Sequence, residues 1–209
     1  MKLNKAAMFG LDARIALAIF GALSVISGAA LYSAIKNAKV VALVTEMNEV
    51  EKAVTAYLLD TGEYLPFSAS SPHDTYGFLG TDSLIKKVHA SSNSPYLSYS
   101  DFNTAIVHDY IMGTSANYEV YVVAKENSDW DDFVETTKSC KKTSSSCSYY
   151  ICFAKLDTSL AKSVEEYIDG TAPTGNTDDT GNSRLSAGAS SSRVCLKGAV
   201  YNPSQSKLS

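Results

Sequence analysis

The stretch Ile15–Ile35, IALAIFGALSVISGAALYSAI, decides the fold. It holds no charge over 21 residues. As a helix rising about 1.5 Å per residue it would be ~31 Å long, close to the ~30 Å hydrocarbon core of a bilayer. The helical rhythm continues beyond it. From Lys36 to about Leu59, apolar residues recur at Val40, Leu43/Val44, Met47, Val50, Val54 and Tyr57/Leu58, with Glu46, Asn48, Glu49, Glu51 and Lys52 between them. Steps of three and four mark one apolar face. The pattern predicts a single helix over 8–60, apolar all round in its first half and amphipathic in its second, with residues 15–35 as its membrane-spanning part.

Beyond the helix about 150 residues remain, enough for one modest domain with its own core. The net charge of -4 gives no electrostatic footing for nucleic-acid binding. All four cysteines, Cys140, Cys147, Cys152 and Cys195, lie in this polar part. None forms a CxxC pair and no His is near them in sequence, which disfavours zinc. An even number of cysteines beyond a membrane segment suits an oxidising compartment and two disulfides, against the alternative of four buried thiols. Of the three pairings open to four cysteines, Cys140–Cys147 closes a short loop and Cys152–Cys195 joins two predicted strands, and this is the pairing favoured.

Lys2, Lys5 and Arg14 precede the apolar run, and Lys36 and Lys39 follow it. The short basic N-terminus is expected to stay in the cytoplasm and the remainder to be exported. A secretory signal is cut after its apolar core. Here such a cut would sever one continuous periodic element, so the alternatives are an uncleaved anchor or a leader removed before the run.

At this point the sequence resembles the type IV pilin and type II secretion pseudopilin family. In that family a basic leader ends in a small residue, four mostly apolar residues follow, and an acid then sits inside an apolar helix. The resemblance makes 1–7 the leader, Ala7 the small residue, Met8 the first mature residue and Asp12 the acid. A cut between Gly10 and Leu11 is the alternative; it supplies the family's preferred glycine but puts Ile15 where the acid belongs. Ala18-Ile19-Phe20-Gly21 stands where members commonly read Ala-Ile-Ile-Gly. The resemblance implies cleavage by a prepilin peptidase, N-methylation of the new terminus, and self-assembly into a filament by dedicated pilus or secretion machinery. It also implies that the Asp12 carboxylate neutralises the terminal amine of a neighbouring subunit; the bland alternative is a helix cap at headgroup level, helped by the dipole. Two positions depart from the family pattern: the acid is Asp rather than Glu, and Arg14 follows it.

The helix is expected to close at Tyr57-Leu58-Leu59-Asp60-Thr61-Gly62, with Pro66 preventing its resumption. This ending also resembles pilin-like chains. An exported α+β head over 61–209 follows. Its predicted elements are a short helix at Asp82–His89 capped by Thr81 or Asp82, and strands at Ala105–Met112, Tyr118–Lys125, Tyr149–Lys155 and Val194–Val200. The first two strands form a hairpin around the five-residue loop Gly113–Asn117. Asp157-Thr158-Ser159 caps a second helix, Leu160–Asp169, stopped by Gly170. Gly170–Ser192 reads as a long surface loop. The expected fold is therefore pilin-like: a helical spine packed on a small antiparallel sheet.

Asp169, Asn176, Asp178, Asp179 and Asn182 offer hard oxygens in that loop. Some pseudopilins bind calcium near such a loop, which makes Asp169, Asp178 and Asp179 weak calcium candidates. The spacing is not that of an EF-hand, and a solvated turn is the preferred reading, with no cofactor expected. Catalytic motifs are absent: there is no GxSxG, HExxH or Walker loop. His73, His89 and His108 are scattered, and His108 and Asp109 would point to opposite faces of a strand. The tyrosines read as half-buried strand residues rather than an adhesive surface. The expected function is that of a filament subunit assembled from the bacterial inner membrane, with no enzymatic activity. The alternative is an uncleaved single-pass anchor carrying a periplasmic binding or adaptor domain.

Overall fold

A computed structural model describes residues 8–69, 77–87, 91–93, 95–99, 112–115, 118–126, 139–141, 143–144, 146–188 and 192–206. The first helix, α1, runs unbroken over Met8–Thr61. No proline interrupts it. The Gly62 N–H closes onto the Leu58 carbonyl at 2.8 Å, and Gly62 takes the left-handed conformation (φ 70°) that lets a helix stop there.

Two compact units divide the chain, 1–39 and 40–209. In the first, α1 is exposed along its described length, with Lys36 alone half-buried. In the second, α1 supplies one wall of the core. Val40, Leu43, Met47, Val50, Ala53, Val54 and Tyr57 are buried there, and Glu49 and Lys52 between them are exposed. This is the stripe that the three-and-four spacing predicts.

The facing wall is a six-stranded antiparallel sheet of strands β1 (Met112–Ser115), β2 (Tyr118–Glu126), β3 (Cys147–Leu156), β4 (Thr177–Asp178), β5 (Ser183–Ala187) and β6 (Ser192–Tyr201). Their order is β1-β2-β3-β6-β5-β4. Val120, Val122, Ala124, Tyr149, Ile151, Phe153, Leu185 and Val194 join the core that holds the α1 stripe. Residues of the opposite parity, Tyr121, Val123, Tyr150, Cys152, Ala154 and Cys195, form a separate cluster on the other face, as alternation along a strand requires. The central strand β3 is buried at nine of its ten positions, so both faces of that strand are covered. A helix α2 occupies Asp82–Ile85, and α3 occupies Thr158–Asp169. α3 packs on β5 and β6.

Several expectations are corrected. The short helix stops at Ile85 rather than His89, because Lys86 turns to an extended conformation; Thr81 is its N-cap position without a side-chain cap bond. The hairpin turns more tightly than a five-residue loop: β1 includes Gly113–Ser115, and Ser115 pairs with Tyr118. Gly170–Ser192 is no plain loop, since β4 and β5 lie within it and extend the sheet from four strands to six. Residues 105–111 of the first predicted strand, His73, His89, His108 and Asp109 lie outside the described residues.

One close approach fixes a sequence choice. Gly77 (φ 69°) lies against β2, where the Ala124 N–H donates to its carbonyl at 2.7 Å. A Cβ at Gly77 would sit 2.3 Å from the Ala124 carbonyl oxygen, so only glycine fits the contact.

Candidate functional site

The stem half of α1 is the first candidate. An 18-residue window of the helix has mean hydropathy 2.1 and no buried residue. Phe20 is 71% and Val25 74% exposed. A helix of this hydropathy in the core of a soluble domain would be buried; this one presents apolar side chains all round, the pattern of a helix whose surroundings are apolar. By length and composition α1 can cross a membrane. Every backbone group within such a helix is satisfied internally, which lipid demands. Ser24 adds its hydroxyl to that scheme by donating to the Phe20 carbonyl at 2.8 Å.

The residues that the sequence marks for processing and assembly sit at the start of this stem. Ala7 lies outside the described residues, and so do the side chains of Met8 and Leu11. Gly10 is helical, and a Cβ there would meet nothing within 4 Å. Neither a turn nor a close contact requires glycine at that position, although glycine costs a helix ~1 kcal/mol relative to alanine. Asp12 and Arg14 are both exposed. At 100° per residue they point about 200° apart and do not pair with each other.

The head unit contains two disulfides, Cys140–Cys147 and Cys152–Cys195. The second links directly opposed residues of β3 and β6. No cysteine is left free.

The acidic loop after α3 forms the second candidate. Asp157 caps α3 by accepting from the Ser159 and Leu160 N–H groups at 2.9 and 3.3 Å. Gly170 (φ 75°) ends the helix, its N–H on the Glu166 carbonyl. Asp169 then accepts from the Asn182 N–H at 2.7 Å, the Ser183 N–H at 3.2 Å and the Ser183 hydroxyl. Gly181 (φ 73°) makes room for this, since a Cβ would lie 2.5 Å from the Asp169 Cγ. Asp178 Oδ1 accepts from the Thr180 N–H at 3.0 Å and its hydroxyl at 2.8 Å. These bonds to the loop's own donors hold the Asp178 carboxyl below the usual carboxylate range. The Asn176 side-chain oxygen accepts from Lys162 at 3.1 Å, and the Asn182 carbonyl from the Lys197 N–H at 2.8 Å. The carboxylates of Asp169 and Asp178 thus close the loop through N–H and O–H donors. Among the described residues, no group of three or more His, Cys, Asp and Glu is placed to hold a metal ion.

Glu165 escaped the sequence reading. It is 1% exposed, and its Oε2 has no hydrogen-bond donor among the described residues. Burial first, then the charges of Asp178 and Asp169, push its carboxyl up to about 7. The signal was present in the spacing: Ala161, Val164, Glu165 and Ile168 make one helical stripe, and three of its four members are apolar.

The tyrosines serve packing for the most part. Tyr57, Tyr121, Tyr149, Tyr150 and Tyr201 are buried, and the Tyr201 hydroxyl donates to the Leu65 carbonyl at 2.9 Å. Glu46 on α1 accepts from two phenols, Tyr99 at 2.5 Å and Tyr118 at 2.9 Å.

No family model matches the chain, and no match was found among curated proteins or solved structures.

Proposed function

We propose that the chain is the structural subunit of a filament of the type IV pilus or type II secretion pseudopilus kind, assembled from the bacterial inner membrane with its head in the periplasm. The observation that carries this reading is the change of surface along one helix. α1 is unbroken over Met8–Thr61, bare and apolar before Val40, and buried against an antiparallel sheet after it. Such an element is soluble as a monomer only in lipid. Leaving the bilayer, it keeps its apolar half from water by bundling with copies of itself, because burial of apolar surface is the dominant favourable term in association. In this reading both cuts, between Ala7 and Met8 and between Gly10 and Leu11, stay open.

A second reading is favoured by Arg14. A cation exposed two residues after the acid suits a helix that stays anchored with its basic end among headgroups. In that case the chain is an uncleaved single-pass protein whose head binds a partner.

Mass spectrometry of the mature N-terminus separates the two. A methylated Met8 or Leu11 is the expected result for the filament subunit; an intact Met1 in cells that contain the peptidase selects the anchor. Asp12→Ala is expected to leave membrane insertion intact and to block assembly. Unchanged filaments in that variant would remove the carboxylate from the assembly step.

A further inference from the structure

We infer that α1 itself is the surface that joins copies of this chain, and that it takes a second copy in parallel, shifted by ten residues, with Lys36 and Lys39 of one copy beside Glu46 and Glu49 of the next. The inference rests on the filament reading and adds its register.

α1 carries its charges in blocks of one sign. Lys36 and Lys39 stand three residues apart, and Glu46 and Glu49 repeat that spacing with the opposite sign. Like charges one turn apart repel on a helix. Neither lysine has an acid within four residues on either side. The nearest, Glu46, is seven residues beyond Lys39, ~10 Å along the axis, where salt screens most of the attraction. Lys39 and Glu49 are exposed, and Lys36 and Glu46 are half-buried. Among the described residues Lys36, Lys39 and Glu49 have no ion-pair partner, and Lys52, three residues after Glu49, does not bridge to it. Glu46 accepts from the phenols of Tyr99 and Tyr118; a carboxylate has about four acceptor positions, so two donors do not exhaust it.

One shift answers both blocks. The six separations from Lys36 and Lys39 to Glu46, Glu49 and Glu51 are 7, 10, 10, 12, 13 and 15 residues, and only ten occurs twice. At that shift Glu51, Asp60 and Lys52 fall level with Val41, Val50 and Ala42 of the other copy, so no like charges meet. At zero shift every charge faces its own kind, which disfavours a closed parallel dimer. A shifted contact joins two different surfaces of the same chain, and such a contact repeats without closing into a pair.

The apolar residues agree with this register. Ten residues are ~15 Å of helix, so 15–25 of one stem run beside 25–35 of the next. Leu31, 62% exposed, comes level with Val41, which is 45% exposed although it lies beyond the apolar run. Ile35 comes level with Thr45, whose hydroxyl donates to the Val41 carbonyl at 2.8 Å and so needs no water. Headgroup phosphates could also serve the two lysines, but they leave the matching pair of acids without a counterpart.

The test uses the full chain in cells that carry its assembly machinery. No native cysteine is free, so introduced thiols are the targets of a bismaleimide. Differently tagged chains with Lys39→Cys and Glu49→Cys are expressed together. The 39–49 product is expected to dominate; predominance of 39–39 and 49–49 would overturn the inference. In a second readout Lys39→Glu is expected to lower filament yield by about tenfold or more, and the double variant Lys39→Glu, Glu49→Lys to restore it, since the swap turns repulsion back into attraction. Both positions are exposed, so head melting is expected to be unchanged, which separates lost assembly from misfolding. Filaments indifferent to Lys39→Glu would assign the lysines to lipid headgroups and remove the register. Filaments lost in Lys39→Glu and not recovered by the swap would remove it as well, and would leave the filament reading standing. A 39–49 product in cells without filaments would do the reverse, keeping the interface and removing the filament.

Discussion

The two halves of α1 make opposite demands on their side chains, and a pair of truncations measures this. Met47 is fully buried, on the stripe facing the sheet. Met47→Ala removes its apolar contacts and leaves a cavity that the rigid sheet opposite fills only in part; losses of about 2–5 kcal/mol accompany such changes. For a unit the size of residues 40–209, 1 kcal/mol corresponds to roughly 2–4 °C in Tm, so a fall of about 5–15 °C is expected. Phe20 is 71% exposed, and Phe20→Ala is expected to change the stability of the head by no more than about 0.5 kcal/mol. Thermal unfolding in mild detergent, followed by circular dichroism, reports both. Two results would refute the reasoning: a Met47→Ala head that melts within 1–2 °C of wild type, or a Phe20→Ala head that loses as much as Met47→Ala. Either would mean that the apolar stripe of α1 is not what holds the sheet.

The pH dependence of stability follows from the acidic pair. Glu165 is raised on folding, so its contribution is full below about 4.5 and is lost as pH rises through about 7; the loss is up to about 3 kcal/mol at 1.36 kcal/mol per unit. Asp178 is lowered, and its contribution is lost as pH falls below the ordinary Asp value of 3.8. Urea unfolding at a series of pH values is therefore expected to show a slope between pH 4.5 and 7 that Glu165→Gln flattens. The two disulfides should differ in weight. With separations of 43 and 7 residues, chain-entropy arguments give about 4 kcal/mol for Cys152–Cys195 and about 2.4 kcal/mol for Cys140–Cys147; replacing each pair by serines and comparing denaturant midpoints checks the order.

The parts of the fold that were legible in the sequence are those with local physical signatures. The α1 stripe reads directly from Val40, Leu43, Met47, Val50, Val54 and Tyr57, all buried in the structure. Helix α3 was legible at both ends, because Asp157 and Gly170 are a cap and a stop whose chemistry depends on a few neighbouring residues alone. The cysteine pairing followed from placing Cys152 and Cys195 on strands, which the structure makes direct neighbours. The strands β4 and β5 were not legible. Ser183-Arg184-Leu185-Ser186-Ala187 has one large apolar residue, and its Arg184 is buried by donating to the carbonyls of Thr180, Gly181 and Ser183. An arginine satisfied by carbonyls one to four residues before it fills a buried strand position without adding to a period-2 apolar pattern. β1 was cut short for the opposite reason: Gly113-Thr114-Ser115 has turn composition, yet tertiary pairing with β2 overrides it.

In the acidic loop the chain's own donors serve the carboxylates. A carboxylate in such a loop has two ways to lower its energy: to bind a metal or to collect N–H and O–H donors. Asp169 takes the second way, with N–H donors at 2.7 and 3.2 Å. Asp169 is served by Asn182 and Ser183, and Asp178 by Thr180. Glu165, whose Oε2 has no donor among the described residues, is pushed by burial toward its protonated form instead. A glutamate inside an otherwise apolar helical stripe contradicts the local pattern, and the contradiction costs stability at every pH at which the group is charged. A group held toward its acid form by burial makes its surroundings sensitive to pH in a way that no apolar residue at the same position would.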